Sequence, residues 1–199
     1  IWKSICKRFL NNQNNIDYKR FNKSQPINFP YIKGQEFKGI ICFLTNKTGG
    51  NVHKNGTIEI TSNSLIDKYS LPQNSIDYNN NTSYYQSSVN TENAEFCFDF
   101  KENAIQVSNY SRKSSSGKLH LKNWVMEVSK DGKNWVLIDE HTNDPAFNNN
   151  IISTFNTKIL NDFYRFVRIR QTGRSWNNNY TFVFYKIELF GKLIENYNQ

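Results

Sequence analysis

Cysteine, proline and methionine are scarce: the 199 residues hold three, four and one of them. Cys6, Cys42 and Cys97 are odd in number, far apart and form no C-x-x-C pair, so neither a disulfide framework nor a zinc site is expected. Reduced thiols and an intracellular, cytoplasmic setting are the corresponding expectation. No apolar run approaches the about 18 residues that a membrane helix needs, so no membrane span is expected. Long blocks of like charge are also missing. The net charge of +8 is scattered, and its densest cluster, "FYRFVRIR", has strand alternation. We read it as a solvated basic surface, with no specific nucleic-acid site. His53, His120 and His141 have no metal-ligand partner at i+2 or i+4. Nucleophile elbow, Walker loop and dinucleotide fingerprint are absent, and "KTGGNVHKNG" lacks the strand-to-helix context that its glycines would need. The adjacent carboxylates Asp139, Glu140 and Asp144 read as a solvated strand edge, so no enzyme activity is expected. The opening "IWKSICKRFLNNQNN" has neither Met nor an apolar signal core, and reads as the start of a fragment.

Aromatic residues are plentiful, at 15%. Phe, Tyr, Ile and Val suit half-buried pleated surfaces, and the chain alternates them at period two. "GTIEITS", "AEFCFDF", "AIQVSNYS", "NWVMEVS", "WVLIDEH", "IISTFN", "YRFVRIRQ" and "FVFYKIELF" give about eight strands divided by Gly, Asn and Ser corners. No amphipathic helix is expected between them. An all-β fold follows, an antiparallel sandwich or jelly roll. Residues 1–35 read as an extension, with a helical turn or two in "WKSICKRFL" and a linker holding Pro26 and Pro30. Residues 36–193 are the expected domain and 194–199 a tail. Asp131-Gly132 marks a hairpin corner, and Trp124 and Trp135 on its two strands are expected to enlarge one core.

The string W-x-x-E-x-S-x-D-G-x-x-W around that corner resembles the central hairpin of discoidin domains, also called factor V/VIII type C domains. "NSIDYNNNTSYYQSS" is similar to the family's asparagine-isoleucine-aspartate loop, "EFCFDF" to its next strand, "YRFVRIRQTG" to its penultimate strand, and "YKIELFG" to its closing strand with glycine. The likeness spans about residues 37–193. "FKGIICFLTNKTGGNVHKNGTIEITSNS" more narrowly resembles the variant found beside BTB domains in trichomonad-type protists. The implied fold is a jelly-roll β-sandwich of the galactose-binding-like kind, agreeing with the strand pattern.

By the same resemblance, loops at one end of the sandwich recognise the ligand. Arg112, matching an arginine that touches ligand in relatives, is expected there as an anchor with Arg174 and Trp176. Asn177, Tyr180, Tyr84, Tyr85 and His53 complete the candidate ligand-binding set. An exposed tryptophan beside Arg and Asn has the composition of a recognition site. Calcium-holding relatives point to Asp77, Thr82 and Glu188, but Tyr78 replaces the glycine that often follows the loop aspartate, and no cofactor is expected. The function expected first is a non-catalytic module that binds a protein partner within a larger host polypeptide. A carbohydrate-binding module and a scaffold component of a large assembly are the alternatives.

Overall fold

The computed structural model describes residues 25–80, 82–114, 119–148 and 151–197. The helical turn expected in "WKSICKRFL" and Cys6 lie outside them. The described residues form eleven strands and one α-helix, in order: β1 (Ile27–Phe29), α1 (Ile40–Thr48), β2 (Glu59–Ser62), a 3-10 turn (Pro72–Ile76), β3 (Tyr85–Gln86), β4 (Glu95–Asp99), β5 (Ala104–Lys113), β6 (Trp124–Ser129), β7 (Val136–His141), β8 (Ile152–Asn156), β9 (Phe166–Gln171), β10 (Val183–Phe184) and β11 (Lys186–Ile194). All named pairings are antiparallel. One sheet runs β2-β4-β9-β6-β7, its partner β1-β11-β5-β8, and β10-β3 forms a short ribbon.

Strict alternation in β4 and β9 puts every second side chain inside, as period-two strands require. Phe96, Phe98, Val167, Ile169, Met126 and Trp124 of one sheet share a buried cluster with Ile105, Val107, Tyr110, Ile187 and Leu189 of the other. Two of the three outward residues of β9 are arginines, and each has a carboxylate: Arg168 with Glu127 (2.8 Å) and Glu95 (3.1 Å), Arg170 with Glu127 (3.3 Å). Arg165, just before β9, pairs with Asp99 at 2.6 Å. The densest basic cluster of the sequence is thus engaged in ion pairs across the sheet.

The two tryptophans of the hairpin part company. Trp124 is fully buried, whereas half-buried Trp135 lies flat over Arg168 on the outer face, 4.0 Å from its guanidinium. A register shift between Met126 and Glu127 and a six-residue corner separate their environments. The corner is closed by Asp131, whose Oδ1 accepts from the Lys133 and Asn134 amides (2.9 and 2.8 Å), while Gly132 takes φ 71°.

The sequence expectation had no helix after residue 36, yet Ile40–Thr48 is helical. Its apolar run looks like a strand locally; tertiary contacts decide otherwise, as shown below for Glu188. Within the stretch read as linker, Ile27–Phe29 pairs with Leu193–Gly191 and adds an edge strand. Gly191 sits at a register shift of β11 with φ 133°, and a Cβ there would lie 2.0 Å from the Gln106 carbonyl oxygen. Only glycine lets β5 and β11 approach so closely.

Candidate functional site

Loops 87–94, 119–123, 142–148 and 172–182 gather at the sandwich end where β4 begins at Glu95, β6 at Trp124, and β7 and β9 finish at His141 and Gln171. The 172–182 loop is tied to itself. Ser175 donates its amide to the Asn179 carbonyl (2.7 Å), and Asn178, at φ 58°, donates to the Ser175 carbonyl (3.0 Å). Arg174 donates to the Asn178 carbonyl (2.7 Å), with its guanidinium 5.2 Å from the Tyr180 ring centre. The Glu92 carboxylate beside Tyr180 raises that phenol's pKa. Trp176 is half-buried: its Nε1 donates to the Asp144 carbonyl (3.1 Å), and the Lys122 ammonium lies 4.9 Å from its ring centre. Exposed Asn177 follows it. The result is a fixed aromatic rim carrying amide, guanidinium, ammonium and carboxylate groups.

Asp144 is positioned by residues that the sequence reading set aside. His141 Nδ1 lies 2.5 Å from Asp144 Oδ2 and its Nε2 2.7 Å from Asp139 Oδ2. Asp139 Oδ2 also accepts from the Tyr110 hydroxyl (2.8 Å), which receives the Trp124 Nε1 proton (2.7 Å). The imidazole stacks on Trp124 at 4.1 Å between centres. Burial lowers the His141 pKa, but hydrogen bonds and charge from Asp139 and Asp144 outweigh it, and the net shift is upward. A chain of hydrogen bonds therefore runs from the buried Trp124 to the loop that holds Trp176. Read singly, His141 looked like a strand residue and Asp139 and Asp144 like a solvated edge. The signal was their spacing, with carboxylates two residues before and three after one histidine.

Four expected ligand contacts lie elsewhere. Arg112 belongs to β5 and is fully buried, caged by Trp124, Phe147 and Phe184 with ring centres 5.1–5.3 Å from its guanidinium carbon. Among the described residues none of its three side-chain nitrogens has a hydrogen-bond partner. Burial pushes its pKa down to about 10, with Tyr110 and Asp144 opposing. The serine-rich segment after it reads as loop, but β5 extends to Lys113, and position 112 points inward. Tyr85 is likewise core, its ring against Phe96, Phe182 and Phe184 and its hydroxyl on Ser62 Oγ (2.6 Å) and the Ser64 carbonyl (3.1 Å). His53 accepts the Ile60 amide at Nδ1 (3.0 Å) beside Glu59 and Lys101, at the opposite end of the sandwich. Tyr84 is half-exposed and packs on Tyr185, 5.3 Å between centres, beside β10.

The calcium candidates do not converge. Glu188 is fully buried and faces α1: Oε1 accepts the Ile41 and Leu189 amides (both 2.8 Å), and Oε2 the Cys42 amide (3.0 Å), with the Tyr78 hydroxyl also 3.0 Å away. Burial pushes this carboxyl up to about 7 against those hydrogen bonds. Thr82 is exposed and donates its hydroxyl to Asn80 (2.8 Å), and Asp77 accepts the Asn79 amide. These residues do not fit a shared calcium ion. Among the described residues no group of three or more His, Cys, Asp or Glu is arranged to hold a metal. Cys42 and Cys97 are both unpaired, and burial pushes the Cys97 thiol up to about 12. No described helix is long and apolar enough to cross a membrane.

Several solved structures share the fold. CpGH89CBM32-5 from Clostridium perfringens, in complex with GalNAc-β-1,3-galactose, superposes with a TM-score of 0.55 at 14% identity, covering 68% of this chain and 96% of its own. Chitosan-binding module 2 of a Paenibacillus chitosanase/glucanase, in complex with chitotriose, gives 0.56 at 14%, covering 68% and 97%. The family 32 carbohydrate-binding module of NanJ from C. perfringens, in complex with galactose, gives 0.54 at 13%, covering 68% and 94%. No curated protein sequence matches the chain. The F5/8 type C domain model matches residues 59–185, from the start of β2 to the residue before β11. With the sandwich, its central hairpin and this match in agreement, the chain belongs to the F5/8 type C domain family.

Proposed function

We propose that this chain is a glycan-binding module without catalytic chemistry of its own, serving a larger polypeptide and taking its sugar at the loop end on Trp176. The observation that carries the reading is the set indole: half-exposed, fixed through Nε1 on Asp144, and bordered by Lys122, Arg174, Asn177 and Tyr180. Sugars offer apolar C–H faces ringed by hydroxyls, and such a site supplies a rigid aromatic surface with donors and acceptors at its rim. The self-bonded 172–182 loop keeps the ordering cost of binding low. Structural neighbours in complex with galactose, GalNAc-β-1,3-galactose and chitotriose favour this reading over the protein partner expected first from the sequence.

Calorimetric titration with those three sugars tests it. Binding is expected for at least one, with Trp176→Ala weakening it about tenfold or more, the equivalent of one good ring contact. His53→Ala, at the far end, leaves affinity unchanged. Equal affinity of parent and Trp176→Ala, or retention of a protein from lysate that all three sugars fail to release, would refute the proposal.

A further inference from the structure

The reason that Asp77, Thr82 and Glu188 do not gather around a metal lies two residues before Glu188. Lys186 on β11 is 2% exposed and sends its ammonium between Asn74 and Ser83. Its Nζ donates to the Ser83 carbonyl (3.0 Å), the Asn74 carbonyl (3.2 Å) and the Ser83 hydroxyl (3.3 Å). An ammonium has three protons and no acceptor, so three oxygens satisfy it fully. Two of the three are main-chain carbonyls, the neutral hard oxygens that calcium also takes.

Both residues are braced about this point. Asn74 donates its side-chain amide to the Tyr69 carbonyl (2.6 Å) and the Tyr84 carbonyl (3.1 Å), and Ser83 Oγ donates to the Asn74 carbonyl (3.1 Å). Burial pushes the Lys186 pKa down to about 8; Asp77 opposes the shift and Lys113 adds to it. With three acceptor oxygens around it, Nζ is held in its protonated, charged form. A divalent ion on the same carbonyls would sit against that charge, inside a site where water screens poorly.

We infer that Lys186 is the resident cation between Asn74 and Ser83: an ammonium of the chain itself ties these two residues together and holds Tyr84 on Tyr185, with no bound metal required. This stands whether or not the loop end binds a glycan, because its readout is stability and needs no sugar.

The test is thermal unfolding of the 199-residue chain at pH 7, in EDTA and in millimolar calcium, for the parent, Lys186→Met and Lys186→Glu. The parent is expected to melt at one temperature in both buffers. Lys186→Met is expected to melt lower by about 5 °C, having lost charge-assisted hydrogen bonds to Asn74 and Ser83, and to ignore calcium. Lys186→Glu sets a carboxylate among the same oxygens, so it melts lower in EDTA and recovers with calcium. A parent Tm that rises with calcium or falls in EDTA overturns the inference, and it decides the matter even if Lys186→Met fails to fold. A Lys186→Met protein that melts with the parent, or a Lys186→Glu protein indifferent to calcium, overturns it as well.

Discussion

Removing the Glu188 side chain isolates the interaction that makes Ile40–Thr48 a helix. In Glu188→Ala the fully buried Ile41 and Leu189 and the part-buried Cys42 lose the acceptor of their amides, and the Tyr78 hydroxyl loses one of its two neighbours, keeping the Ile187 carbonyl at 2.8 Å. A buried polar group left unpaired costs about 1–3 kcal/mol. Three amides would set the loss near the top of that scale threefold, but water entering the vacated space recovers part of it. We therefore expect a loss of roughly 3–5 kcal/mol. At about 2–4 °C per kcal/mol for a chain of this size, Tm falls by roughly 6–20 °C. Glu188→Gln keeps the volume but turns an amide donor toward one of the facing N–H or O–H groups, so its loss is about half as large. Urea titrations followed by far-ultraviolet circular dichroism give both numbers, and hydrogen exchange at Ile41 and Cys42 localises them. A Glu188→Ala protein within about 1 kcal/mol of the parent would refute the view that this carboxylate organises α1.

Other expectations follow from single contacts. Gly191→Ala would set a Cβ 2.0 Å from the Gln106 carbonyl oxygen, main chain that cannot swing aside, and should lower unfolding free energy in urea by more than about 2 kcal/mol. Arg112→Met fills the aromatic cage and removes a buried charge with no hydrogen bond among the described residues; it should be at least as stable as the parent, whereas Arg112→Ala loses about 3 kcal/mol to the void. A Met variant much weaker than the parent would show that the rings more than offset desolvation. His141 has its folded-state pKa raised, so its stabilisation is complete below the unfolded value of about 6.5 and is lost as pH rises through the folded one. Urea midpoints should fall over that range in the parent, and the fall should flatten in His141→Asn.

The sheets were legible because period two is a local property: "AEFCFDF" and "FVRIRQ" announce which face is buried. The helix was not, because Ile40, Ile41 and Phe43 favour a strand locally, and the groups that turn the segment into a helix lie 147 residues away in Glu188. Arg112 shows the converse error. Ser-Arg-Lys-Ser has loop composition, and only the pairing of β5 with β8 and β11 reveals that the strand continues and points the guanidinium inward. The loop end was partly legible: Trp176 and Arg174 were picked out by composition, while Lys122 and Asp144 came from other loops. His53 was attached to the wrong end because sequence order does not tell which sandwich end a loop reaches. Lys186 drew no notice, since a lysine in an alternating strand normally faces water.

The most direct test of the glycan reading is a nuclear magnetic resonance titration of the tryptophan indole N–H signals with galactose, GalNAc-β-1,3-galactose and chitotriose. The chain has four tryptophans, among them buried Trp124, Trp135 on the far sheet face and Trp176 at the loop end. A saturable shift of the Trp176 signal is expected with at least one sugar, while Trp124 and Trp135 stay in place. No shift with any of the three, or a shift at Trp135 with Trp176 unmoved, would contradict it.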